Sequence, residues 1–106
     1  MIKKRVKIPE NIITELLYLC RNTCCICGTR GIALQIHHID EDPSNNIIGN
    51  LIPLCLNCHA LVHTKCTIGS LYNKKLLKKY RDGCVNFYIE ANEEAKRIFI
   101  KNKIGV

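Results

Sequence analysis

The decisive stretch runs Ile36-His37-His38-Ile39-Asp40 and, after a loop, Asn50-Leu51-Ile52-Pro53-Leu54-Cys55-Leu56-Asn57-Cys58-His59-Ala60-Leu61-Val62-His63. A second Cys-x-x-Cys pair, Cys24 and Cys27, stands upstream. All 4 histidines of the chain lie in this region. The residues are set out for two metal sites of different chemistry. One is a closed sulfur cage and the other an open imidazole site.

A structural zinc takes four soft ligands in a tetrahedron and leaves no position open. Cys24, Cys27, Cys55 and Cys58 meet that count as two pairs with x2 spacing. Cys25 could compete for the cage, but only Cys24 has the x2 spacing to Cys27. Gly28 lets the backbone fold back behind this knuckle. Cys20, Cys25, Cys66 and Cys84 remain, and they are expected to be buried or free thiols without chemistry.

Residues 32–39 are short and rich in β-branched types, which predicts a strand. Adjacent strand residues face opposite ways. One of His37 and His38 can therefore hold a metal while the other faces water. Residues 58–64 should form a helix that carries His59 and His63 on one face, at i and i+4. Those two imidazoles can join the same ion and leave positions for phosphate oxygens and water. Histidine is also the natural base for water attack near neutral pH.

The loop Asp42-Pro43-Ser44-Asn45-Asn46 separates the first strand from a second at 51–54, where Pro53 suggests a short or edge strand. Before the cage, Pro9 is placed as the first residue of a helix over 9–21. Glu10 lies in its first turn, Ile12, Ile13, Leu16, Leu17 and Cys20 form its apolar face, and Asn22-Thr23 ends it. After the cage, Ser70 is a candidate cap for a helical region over 70–101. Its stripe is Leu76, Leu77, Tyr80, Cys84, Phe87, Tyr88, Ala91, Ala95 and Ile98, with a break allowed at Gly83.

The 106 residues make one domain, 1–106, small enough to need a staple. With 8 cysteines and no apolar run after Met1-Ile2-Lys3-Lys4-Arg5, a reducing cytoplasmic setting is expected, with zinc rather than disulfides. No segment reads as a membrane span. The formal charge of +7 suits a polyanionic partner. Lys74, Lys75, Lys78, Lys79 and Arg81 are candidate phosphate contacts, as is the arm with Lys3, Lys4, Arg5 and Lys7. No element that would read bases is evident.

From Cys24 to His63 the residue types, their order and their spacing resemble the HNH endonuclease motif in its zinc-ribbon-bearing form. The resemblance implies an α+β fold. A ββα-metal core over 24–64, stapled by a four-cysteine zinc site, would be flanked by the N-terminal helix and the long C-terminal helix. It implies that His38 is the general base and that His37, His59 and His63 hold the catalytic divalent ion (Mg²⁺, Mn²⁺, Ni²⁺ or Zn²⁺). His63 is similar to the additional ligand of the colicin-type nucleases. Asn50 would pin the loop between the strands and so orient His38.

The loop departs from the Pro and Gly-Gly pattern of many members. There Asp40 is expected to act as a loop cap rather than as a ligand or an imidazole partner. The implied activity is hydrolysis of DNA phosphodiesters, on double-stranded DNA with weak intrinsic sequence specificity. Cutting both strands would need a dimer or two visits, and a homodimer or a larger partner protein is the protein partner this reading allows. The competing function is a non-catalytic zinc module that binds nucleic acid. A disulfide scaffold is the third reading.

Overall fold

A computed structural model describes residues 6–66, 69, 70 and 72–103, with the backbone alone for 65, 66, 69, 70 and 92–103. Lys3, Lys4 and Arg5 lie outside the described residues, as do the side chains of Cys66, Ser70, Ala95 and Ile98. The fold is α+β. Helix α1 (Glu10–Leu19) comes first, then strands β1 (Leu34–His38) and β2 (Leu51–Cys55), helix α2 (Leu56–Val62), short strands β3 (Lys65–Cys66) and β4 (Gly69–Ser70), and the long helix α3 (Lys74–Lys103). Among the described residues, no helix is long and apolar enough to cross a membrane.

α1 is shorter than the apolar spacing suggests. Pro9 precedes the helix as its N-cap, with an extended ψ of 139°, rather than serving as its first residue. At the other end Arg21 and Asn22 both take positive φ, 53° and 51°. Two left-handed residues cannot continue a right-handed helix, so the chain turns there. It arrives at Cys24 with Leu16 and Cys20 fully buried.

β1 and β2 pair antiparallel, with Leu34 opposite Cys55 and His38 opposite Leu51. Pro53 faces Ile36 in this ribbon. Its carbonyl points away from β1 and accepts from Cys25 N at 3.1 Å. The missing donor of Pro53 thus falls on the unpaired side, where it breaks no ladder bond. Every residue of β2 is buried. α1, α2 and α3 all pack on this strand, so a two-stranded ribbon becomes the centre of the core. Leu16, Leu51, Ile52, Leu54, Leu77 and Val85 form that core.

α2 begins at Leu56, two residues before the expected start, because Cys55 caps it. The Cys55 sulfur accepts from Cys58 N at 3.4 Å. α3 begins at Lys74, and its cap is Asn73 rather than Ser70. Asn73 Oδ1 accepts from Leu76 N at 2.8 Å, while Ser70 is taken up in pairing with Lys65. The helix runs through Gly83 without a break.

The buried stripe of α3 is also rotated from expectation. Leu77, Arg81 and Val85 face inward, while Phe87 is 65% exposed. Arg81 is 8% exposed, and its guanidinium donates to Leu51 O at 3.4 Å and Ile48 O at 3.1 Å. It also pairs with Asp82 at 3.0 Å. Arg81 is therefore a core tie and not an exposed phosphate contact. Replacing it removes the Arg81 donor from the buried Leu51 carbonyl, at about 1–3 kcal/mol, and the packing of its buried stem. Arg81→Ala is expected to lower stability by roughly 2–4 kcal/mol in urea titration, whereas Lys79→Ala should stay within about 0.5 kcal/mol.

Candidate functional site

The sulfurs of Cys24, Cys27, Cys55 and Cys58 all lie within 4.8 Å of one another. Cys24 and Cys27 stand in a turn closed by Gly28 N to Cys24 O at 2.9 Å and Cys24 N to Thr29 O at 3.0 Å. Gly28 has φ 75°, a value that costs a residue without a Cβ nothing. The other two cysteines bracket the first turn of α2. Cys27 and Cys55 sulfurs are 3.8 Å apart, which matches the edge of a tetrahedron built on Zn–S bonds of about 2.3 Å. The four could hold a metal ion such as zinc. Hydrogen bonding to Thr29 pulls the Cys27 thiol down to about 6, whereas burial pushes the Cys58 thiol up. A cation would offset that cost by favouring the thiolate. Cys25 takes no part in this group.

A second group stands on the other side of the hairpin. His37 from β1 and His59 and His63 from α2 bring ring nitrogens within 4.8 Å of one another. The ring centroids are 5.4 Å apart for His37 and His59, 5.3 Å for His37 and His63, and 4.8 Å for His59 and His63. His59 is on the last helical turn and His63 caps it, so both still share one face. Burial, followed by the charges of His59 and His63, pushes the His37 imidazole down to about 4. Burial, followed by His63, also lowers His59. Both are neutral at pH 7 and offer lone pairs.

Gln35, two residues before His37 on the same strand, hydrogen-bonds His59 through its Oε1 and the His59 Nδ1. With Nδ1–H donating to that oxygen, the Nε2 lone pair of His59 lies toward His63 Nε2, 3.2 Å away. His63 Nε2–H can donate to that lone pair, or both lone pairs can turn to a cation between them. This donor set fits a metal ion, with Gln35 orienting one ligand.

His38 turns away from this triad, as strand alternation requires, and its Nε2 lies 2.9 Å from Asn46 Oδ1. The amide nitrogen of Asn46 faces the carbonyls of Val6 and Lys7 at 3.3 and 3.4 Å. The amide is thereby oriented with its oxygen toward His38, so Nε2–H donates to it and the neutral ring has its lone pair on Nδ1. His38 still borders the same cleft as the triad, a space of ≈ 400 Å³ that Glu41 and Pro43 also line.

Asn50 acts on the loop and reaches His38 only indirectly. Its Oδ1 accepts from Asp40 N at 3.0 Å, and its Nδ2 donates to Asp40 Oδ1 at 2.9 Å and Asn45 O at 3.0 Å. Asp40 also accepts from Asp42 N at 2.9 Å and Asn45 Nδ2 at 2.7 Å. Asn45, then the Asp42 amide and Asn50, hold its carboxyl below the ordinary range. Asp40 is a loop cap. The loop so fixed places Asn46 against His38.

Among the candidate phosphate contacts, Lys74, Lys75, Lys78 and Lys79 are exposed at the start of α3. Lys78 is partly occupied, since Nζ donates to Gly49 O at 2.8 Å and pairs with Asp82 at 3.3 Å. Lys74 lines a smaller cleft that continues past His37 and Glu41. Gln35 and Asn46 were not singled out by the sequence. For Gln35 the available signal was its i−2 position to His37 on a strand. For Asn46, a loop residue that crosses to His38, there was none. No protein-family model, curated protein or solved structure matches the chain.

Proposed function

We propose that the protein is a metal-dependent endonuclease of the HNH type, hydrolysing DNA phosphodiesters, with β1, β2 and α2 as its ββα-metal core. One observation carries the reading. Three imidazoles converge on one point of a cleft, and a fourth, His38, borders the same cleft with its Nε2 held on Asn46 Oδ1. A zinc ribbon that only binds has no use for either feature.

In this reading the Cys24, Cys27, Cys55 and Cys58 cage holds structural zinc, which joins the knuckle to the start of α2. His37, His59 and His63 are the ligands of the catalytic ion. A divalent ion there supplies Lewis-acid stabilisation of charge on the phosphate and the leaving 3′ oxygen. Imidazole donors favour Mn²⁺, Ni²⁺ or Zn²⁺ over Mg²⁺. His38 Nδ1 takes the proton from the attacking water. Its Nε2–H stays on Asn46, which stabilises the imidazolium as it forms. Lys74, Lys75 and Lys79 are available for flanking phosphates, and Lys7 extends the basic surface.

The test is nicking of supercoiled plasmid with each of the four ions, with and without chelator. Conversion to open circle that a chelator stops is expected. No nicking with any ion, while cysteine-bound zinc is intact, overturns the reading in favour of a binding module. The Gln35 contact makes a further prediction. Gln35→Ala should weaken Mn²⁺ or Ni²⁺ binding at the triad by about 10–100-fold. Metal titration of the zinc-loaded protein would read this, and unchanged affinity would remove Gln35 from the site.

A further inference from the structure

Three of the remaining thiols meet at one point. Cys20 follows α1, Cys25 lies inside the knuckle and Cys84 is on α3. Their sulfurs are all within 4.8 Å of one another, and those of Cys20 and Cys25 are 3.7 Å apart. Cys24 and Cys25 are adjacent in sequence yet send their sulfurs to different clusters.

We propose that Cys20, Cys25 and Cys84 form a second thiolate metal site, taking a thiophilic d10 cation such as Zn²⁺. The proposal is independent of the nuclease reading. Thiolates that share a zinc stand about 3.8 Å apart, close to the separation already present between Cys20 and Cys25. A buried cysteine by itself is a small core filler. Three from the end of α1, the knuckle and α3, with their sulfurs brought together, repeat the convergence of thiols seen in the first cage.

Hydrogen bonding within the trio draws the Cys84 thiol down, with Arg81 adding to that shift, and pushes Cys20 and Cys25 up. A cation would be needed to hold all three as thiolates. One zinc with three thiolates carries a net −1, which the neighbouring guanidinium offsets. Three protein ligands leave a fourth position for water or a small thiol. Cys25 and Cys84 line an open cleft with Tyr80, Gly83 and Phe87, from which a fourth ligand could come. The ion would tie α3 to the knuckle and to the end of α1. The long helix would then be fastened to the core by sulfur as well as by apolar contact.

The experiment is Co²⁺ substitution of the full chain under reducing, oxygen-free conditions. Thiolate-to-cobalt absorption in the near ultraviolet is blind to the histidine triad. The unmodified protein should bind two thiolate-held ions. Cys84→Ser and Cys84→Ala should each bind one and keep the spectrum of the Cys24 cage. Should both variants fail to fold, the stoichiometry of the unmodified protein decides alone: two such ions support the site. A single thiolate-held ion in the unmodified protein overturns it. So does an unchanged count in the Cys84 variants.

Discussion

His38→Ala is expected to lower plasmid nicking by roughly 10²–10⁴-fold while zinc content and circular dichroism stay unchanged. The imidazole is 8% exposed and makes a side-chain bond to Asn46. Its loss removes one hydrogen bond and some packing at the end of β1. The hairpin itself is held by its ladder and by the cysteine cage. A structural role and a chemical role are separated by rescue. Added imidazole should restore part of the activity of His38→Ala if the ring acts as a base, and should do nothing if the defect is in packing. The triad metal should bind as before, since His38 is not among its donors. Full activity of His38→Ala would end the assignment of the base.

The other large effect is expected at the cage. Cys58 is 6% exposed, in the first turn of α2 and one residue before His59. Cys58→Ser should lose the cage metal and the cooperative thermal transition together. Structural zinc sites in small domains contribute on the order of 10–16 kcal/mol of apparent binding energy. Whole domains are stable by only about 5–15 kcal/mol. A cage that loses one thiolate therefore removes an amount comparable to the total. The triad should fail as well, because α2 carries both His59 and His63 and is capped by Cys55. Retention of zinc and an unshifted melting temperature in Cys58→Ser would show that the four sulfurs do not share an ion. Chelation of the unmodified protein should reproduce the loss.

The cage, the hairpin with its helix, and the sharing of one face by His59 and His63 were legible in the chain itself. Each depends on short-range spacing: x2 between cysteines, alternation at His37 and His38, and i,i+4 along α2. Such spacings fix directions from backbone geometry alone, whatever packs around them. The α+β class followed from the same periodicities.

Other features are set by contacts between residues far apart in sequence. Arg81 reads as one more cation beside Lys78 and Lys79. Only the approach of α3 to β2 brings it to the carbonyls of Ile48 and Leu51. Asn73 caps α3 because Ser70 is used by β4. Asn46 faces His38 because the loop is folded on Asp40 and Asn50. Cys20, Cys25 and Cys84 read as spare thiols until α1, the knuckle and α3 close on one another. The chain by itself determined which residues could be ligands and which way their backbones aim them. The tertiary structure decided which meet, because burial and hydrogen-bond satisfaction are settled by packing between segments and not by any local pattern.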